Sequence, residues 1–276
     1  MRLSRPLTAL LAGSAAVALL AGCSGVTDPE PAGSSGEPVN VGALFRQAAV
    51  DTDAAGSGRY VLITTTKVNG VDVTFSGEGI YDWSADLGQT TYDIPVGKVL
   101  QRLLGPDLFL ALPQQPEVFF KLRTADVASS PVGGTVDPSA QLHLLAAVET
   151  AEAVGEEEVR GEQTTHYRGT YDVARAIRGS RGVQQPALTS LLGVAKDMKE
   201  ASYDVFLDED GLLRRLQQTV KVPASEATGG QELAVTTTLE LYDFGIEVKV
   251  VAPPAAAVRD GAPLLAALRK ALPAPS

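Results

Sequence analysis

The sequence predicts an α+β fold: one curved antiparallel sheet with helices on its concave side. Three observations carry this. About nine or ten segments rich in β-branched and aromatic residues recur along the chain, the clearest alternating apolar and polar with period two. They are joined mostly by tight turns or long meander-like connections. Segments with apolar residues at helical spacing fall between the hairpins, an order that suits an antiparallel sheet packed on helices.

The first stretch is not part of that fold. Arg2 and Arg5 open the chain, an uncharged apolar run follows from Leu7 to Ala21, and Gly22 precedes the single cysteine, Cys23. A basic start, an apolar middle and small residues at a cleavage point make a secretory signal peptide over residues 1–22. The run is shorter than the roughly 20 residues that span a bilayer as a mature helix. Leu20-Ala21-Gly22-Cys23 resembles the lipobox of bacterial lipoproteins, which implies diacylglycerol transfer to the Cys23 sulfur, cleavage before it and N-acylation, hence a lipid anchor on the extracytoplasmic face of the cell membrane. Residues 23–38 are Gly, Ser, Pro, Asp and Glu with little apolar content. They read as a flexible tether reaching roughly 20 Å.

The folded domain is expected over 39–256. Asn40 fits a helix N-cap, with Val41, Leu44, Phe45 and Ala48 at helical spacing and an end by Gly56. Arg59 to Lys67 is a strand. Asn69-Gly70 is a two-residue hairpin turn, and Val71, Val73, Phe75, Gly77, Gly79 and Tyr81 alternate with polar residues on the return strand. Gln89 to Ile94 is a third strand. Pro95 can begin a helix carrying Val96, Val99, Leu100, Leu103 and Leu104 on one stripe, ended by Gly105-Pro106. Asp107 to Leu112 and Glu117 to Leu122 are strands, and 129–135 is a loop. Asp137-Pro138 starts a helix that runs to about Ala153 and is apolar nearly all round. The Glu156-Glu157-Glu158 run is read as a solvated turn. Val159 to Tyr171 is a hairpin turning at Gly161, and Asp172 caps a short helix to Ile177. Pro186 starts an amphipathic helix with Leu188, Leu191, Leu192, Ala195 and Met198 inward. Tyr203 to Leu207 and Leu212 to Val222 form a hairpin about Asp208–Gly211. Leu233 to Phe244 follows, and Ile246 to Val251 is expected to close the sheet. The tail, 257–276, carries a last helix over Leu264 to Leu272.

Composition narrows the function. Losing Arg2 and Arg5 takes the formal charge from −10 to −12. A chain this acidic is a poor candidate for nucleic acid or for polybasic docking on anionic headgroups, so attachment rests on acyl chains. With Cys23 acylated no cysteine remains for a disulfide, and core packing must hold the fold. His143 and His166 stand far apart without cysteine and make no recognisable zinc site; His166 reads as structural or surface. Asp243-Phe244-Gly245 lacks the other kinase segments. Asp208-Glu209-Asp210-Gly211 lacks the later ligands of a calcium loop. Gly77-Glu78-Gly79 lacks the third glycine and the following helix of a dinucleotide fingerprint. No nucleophile, base and orienter assemble, so no catalytic residue, cofactor or metal ligand is assigned.

Three stretches together resemble the LppX/LprG-type actinobacterial lipoproteins, relatives of the LolA/LolB fold. They are the lipobox at Cys23, the segment from Gly155 to Val173 with its Thr165-His166-Tyr167, and the segment from Leu239 through Ile246 to Pro253-Pro254. The order of elements is similar over about residues 40 to 256. The resemblance implies a half-barrel sheet wrapped over helices with an apolar cavity between them, and in characterised relatives that cavity holds acylated lipids or glycolipids. It carries over no catalytic residues. By position, Val61, Ile63, Val73, Phe75, Leu110, Leu191, Leu192, Val205, Leu216, Leu239 and Leu241 would line the cavity; the same residues would also suit a densely packed core. The expectation is a monomeric, non-catalytic, membrane-anchored carrier or binder of acyl lipids, with an envelope transporter left open as partner. The rival expectation is the same fold packed solid, serving as a tethered interaction module.

Overall fold

The computed structural model describes residues 41–68, 71–128, 150–172, 200–222 and 230–271, together with 142, 145, 148 and 224. Internal contacts separate the chain at Pro38/Val39, and every described residue belongs to the second unit, Val39–Ser276. Among the described residues no helix is long and apolar enough to cross a membrane.

Helix α1 (Val41–Ala54) buries Gly42, Phe45, Ala48 and Thr52, three or four residues apart, on one stripe. Gly56 stops it in the left-handed region at φ +80°, a conformation that suits a residue without Cβ. Twelve strands follow in one sheet. Six of them form a meander: β1 (Ser57–Val68), β2 (Val71–Asp82), β3 (Leu87–Ile94), β4 (Gly97–Leu104), β5 (Asp107–Leu112) and β6 (Gln115–Arg123). A short helix, α2 (Thr124–Ala128), ends that run. A second meander comprises β7 (Thr150–Val159), β8 (Glu162–Asp172), β9 (Glu200–Asp208), β10 (Leu213–Val222) and β11 (Leu233–Tyr242). The two meanders join where β1 pairs antiparallel with β11, giving the order β12-β6-β5-β4-β3-β2-β1-β11-β10-β9-β8-β7. The edge strand β12 (Val258–Asp260) alone runs parallel to its neighbour, β6. Helix α3 (Ala262–Ala271) follows it.

The sheet's inner face carries the main core. Phe45 of α1 meets the rings of Tyr167 and Tyr203 edge-on at 5.5 and 6.1 Å. Thr52 Oγ1 accepts the Leu213 N–H at 2.9 Å, tying α1 to β10. Leu142, Leu145 and Val148 join this core, and Leu142 and Leu145 are helical. The outer face holds a smaller cluster of Phe109, Ala111 and Phe119, covered by Ala257 and Val258.

Four expectations are corrected. Residues Gly97–Leu104 are a strand, not a helix. Leu103 belongs to the inner core and Val99 shares its face, while Leu100 and Leu104 pack on the outer cluster. A strand apolar on both faces mimics a helical stripe. Residues Thr150–Ala153 belong to β7 rather than to a helix, and Glu156-Glu157-Glu158 continues that edge strand instead of turning. Residues 246–251 form no strand: they cross the outer face as an extended strap, held where the Ser57 hydroxyl donates to the Ile246 carbonyl at 2.6 Å and Arg102 Nη1 to the Val251 carbonyl at 3.2 Å. The strap reaches the far edge, so β12, unforeseen in the sequence, pairs there. The loop over 129–135, the short helix after Asp172 and the helix from Pro186 fall outside the described residues, as do Asn69-Gly70, although Val68 opposite Val71 is the register of a two-residue turn.

Candidate functional site

Strand register decides which side chains share the inner face. One row runs Val99, Tyr92, Gly77, Leu62, Leu239, Leu216, Val205 and Tyr167 across eight strands. The next row toward the β1–β2 turn runs Phe75, Thr64, Thr237, Gln218 and Tyr203. At every register-paired inner position from β1 to β6 and from β8 to β11 the residue is uncharged. The charged residues of these strands take the other face. There Glu240 Oε2 accepts from Arg160 at 2.7 Å and its Oε1 from Arg215 at 2.9 Å. Arg168 and His166 both reach Asp204 Oδ1, at 2.8 and 2.6 Å, and the His166 ring stacks on Phe206 at 4.3 Å. This segregation is physical: an unpaired charge on the inner face would lose its hydration with nothing to replace it.

Glycines make room on that face. A Cβ at Gly77 would meet the Tyr92 ring at 2.6 Å, and one at Gly79 would meet the Gln89 carbonyl at 2.4 Å. Flat rings and hydroxyls therefore lie across the sheet. Tyr60 bonds to Thr90, and the Tyr203 hydroxyl donates to the Thr150 carbonyl. Burial pushes the Tyr203 phenol well above its usual pKa range, because the phenolate would be left dehydrated.

The inner face is not uniform along the strands. Val205, Leu216, Leu239 and Leu241 are 0–3% exposed and belong to the solid core beside α1. Leu110 is half-buried against the same core. Toward the β1–β2 turn Val73 is half-buried and Phe75 is 39% exposed. Val61 and Ile63 stand on the outer face, level with Glu78 and Ser76, so they do not line the inner one. Tyr60 and Leu62 take the inward positions instead. Sequence reasoning missed these two although the signal was there: a two-residue turn at Asn69-Gly70 places Leu62 opposite Gly77, on the buried side of β2. Leu191, Leu192 and His143 lie outside the described residues, as does Cys23. Among the described residues no three His, Cys, Asp or Glu side chains converge as metal ligands.

From β1 to β6 and from β8 to β11 the face is a broad uncharged surface, packed solid beside α1 and less covered at Val73 and Phe75. Among solved structures, the Mycobacterium tuberculosis lipoprotein LppX superimposes with a TM-score of 0.52 at 18% identity, over 78% of this chain and 100% of that one. This chain has the LppX fold. LprF from Mycobacterium bovis is also similar, with a TM-score of 0.49 at 13% identity over 78% of this chain and 97% of its own. A putative outer membrane lipoprotein-sorting protein domain from Vibrio parahaemolyticus covers 75% of this chain at 9% identity, with a TM-score of 0.30. No protein-family model and no curated protein matches the sequence.

Proposed function

We propose that this chain is a membrane-anchored lipoprotein that shelters the acyl chains of a lipid or glycolipid against the open end of its inner face, without making or breaking bonds. The observation that carries the reading is the segregation of charge. Ten adjoining strands with no charged residue at the register-paired inner positions suit hydrocarbon, and each methylene removed from water contributes roughly 0.8 kcal/mol. The LppX fold supports it. In this reading the acyl site lies along the inner face where its cover thins toward the β1–β2 turn. Phe75, Val73 and Thr64 flank its mouth.

The anchor is Cys23, acylated after removal of residues 1–22, which holds the domain on the outer side of the cell membrane through residues 23–38. The chain works as a monomer, and an envelope transporter is the natural partner for delivery.

A transfer assay tests this. Residues 24–276 are mixed with donor vesicles carrying a fluorescent diacyl lipid and with unlabelled acceptors. Transfer that rises with protein concentration, together with label bound to the protein after its separation from vesicles, is the expected result. No acceleration and no bound label would reject the reading.

A further inference from the structure

Two neighbouring hairpins end the sheet on the side where its inner face is least covered. Strands β1 and β2 turn in two residues, with Val68 opposite Val71, and β3 and β4 turn in two, with Ile94 opposite Gly97. Gly97 closes the second turn at φ +124°, and a Cβ there would come within 2.8 Å of Pro113, so this tip is seated against the β5–β6 turn. Val71 and Val96 are 64% and 66% exposed, with Phe75 behind them at 39%. On the outer face, directly behind each tip, a cross-strand pair balances the charge: Lys67 with Asp72 at 3.6 Å and Lys98 with Asp93 at 3.3 Å. The two tips thus present exposed valines with no net charge behind them.

The chain enters the domain from the same end. Thr52 of α1 is bonded to Leu213, which lies opposite Leu207 of β9, whereas Phe45 meets Tyr203, four residues along β9 toward the β1–β2 turn. Helix α1 therefore runs away from the hairpin tips. Its first residue, Val41, is one further turn beyond Phe45 and is the end of the helix nearest them. The 12 residues of β1 extend about 40 Å, so the β2–β3 turn at the other end of the strands lies far from this entry point.

We propose that the tips of the β1–β2 and β3–β4 hairpins insert into the lipid surface that holds the chain, placing Val71 and Val96 among the headgroups and the first acyl carbons. The inference rests on the proposed function for its anchor at Cys23. Residues 23–38 as a coil reach roughly 20 Å, half the length of β1, so the end that the chain enters is the end that meets the membrane. Two valines alone would hold weakly. A short linker makes their insertion intramolecular, at an effective concentration in the millimolar range, and weak affinity then suffices. The charge balance selects the surface. With the tip charges paired and a net charge of −10 on the chain, a zwitterionic bilayer suits the tips better than an anionic one. Insertion here also brings Phe75, on the inner face of the same hairpin, to the lipid.

The test uses residues 24–276, which contain no cysteine because Cys23 is the only one in the chain. Val96→Cys carries a polarity-sensitive dye at one tip, and Ala85→Cys carries it in the exposed β2–β3 turn at the opposite end. Each is sedimented with phosphatidylcholine vesicles, with and without brominated acyl chains, and with vesicles that are half phosphatidylglycerol. The Val96→Cys dye is expected to brighten on phosphatidylcholine and to be quenched by the brominated chains, and the Ala85→Cys dye to do neither. The unlabelled variant Val71→Ser/Val96→Ser, its folding checked by urea unfolding, is expected to need about tenfold more lipid for the same co-sedimentation. An equal response at both positions or at neither, an unchanged double variant, or binding only to vesicles with phosphatidylglycerol would overturn the proposal. So would a lipid-free dimer that the double variant dissolves, which would make a second copy the occupant of the tips. The transfer assay separates the two claims. Lipid transfer without tip insertion defeats only this proposal, and tip insertion without bound label defeats only the carrier reading.

Discussion

Leu239 and Phe75 share the inner face but should respond to truncation in opposite ways. Leu239 is 1% exposed, between Leu62 and Leu216 in the packed part of the face. Leu239→Ala removes roughly three carbon groups, about 2.4 kcal/mol of transfer free energy. A rigid surrounding leaves a hole, which raises the loss to about 4 kcal/mol. Were Leu239 instead the wall of a lipid-sized void, truncation would create no new hole and the loss would stay near the transfer value. Phe75 is 39% exposed. Phe75→Ala should cost about 1.5 kcal/mol of stability, yet weaken lipid uptake because the mouth of the acyl site loses a ring. The assay is urea unfolding of residues 24–276, read by the fluorescence of Trp83, the sole tryptophan and itself buried at 9% exposure, with uptake of a fluorescent fatty acid measured in parallel. A loss below about 2.5 kcal/mol for Leu239→Ala, or a Phe75→Ala variant as costly as Leu239→Ala with normal uptake, would refute this division of the face.

Three further outcomes follow from the same geometry. Tyr203 has its pKa raised by burial, so the folded state holds the phenol proton more tightly than the unfolded state, whose phenol titrates near ~10. Stability is then fully present below about pH 10 and falls as pH rises above it. Tyr203→Phe should cost about 1 kcal/mol at pH 7 for the lost bond to Thr150 and should flatten the alkaline decline, as seen in urea midpoints across pH. Thr64 and Thr65 are adjacent but face opposite sides of β1, so Thr64→Lys should abolish fluorescent lipid uptake while Thr65→Lys leaves it intact. Cys23→Ser in the full chain should remove acylation, read as loss of the acyl mass and of partitioning into the detergent phase.

Some of this architecture was legible in the residues and some was not, for identifiable reasons. The β1–β2 hairpin was clear because β2 has one wet and one buried face, so its alternation is undiluted. Helix α1 was clear because Phe45, Ala48 and Thr52 form a single stripe. Strand β4 was misread because it is covered on both sides. Leu100 and Leu104 pack outward on Phe109 and Phe119 while Leu103 packs inward, and alternation vanishes. The strap over 246–251 kept the alternation of a strand, since Ile246, Val248 and Val250 are less exposed than Glu247, Lys249 and Val251. Period two records one covered side, not hydrogen bonding to a neighbour. Of the apolar residues expected at a cavity, Val73, Phe75, Leu216 and Leu239 lie on the inner face, whereas Val61 and Ile63 lie on the outer one. Register, fixed by a turn eight residues away, is what gave Tyr60 and Leu62 the inward places. Strand β12 could not be foreseen, because it depends on a strap that carries residues after β11 across to the far edge.

Native mass spectrometry bears most directly on the proposal that the inner face shelters hydrocarbon. Residues 24–276 are produced in a lipid-containing host and sprayed under gentle conditions. We expect a mass above that of the polypeptide, with the excess released on activation as one acylated lipid, and a smaller excess for Phe75→Ala. A protein of bare polypeptide mass that also takes up no added lipid would contradict it.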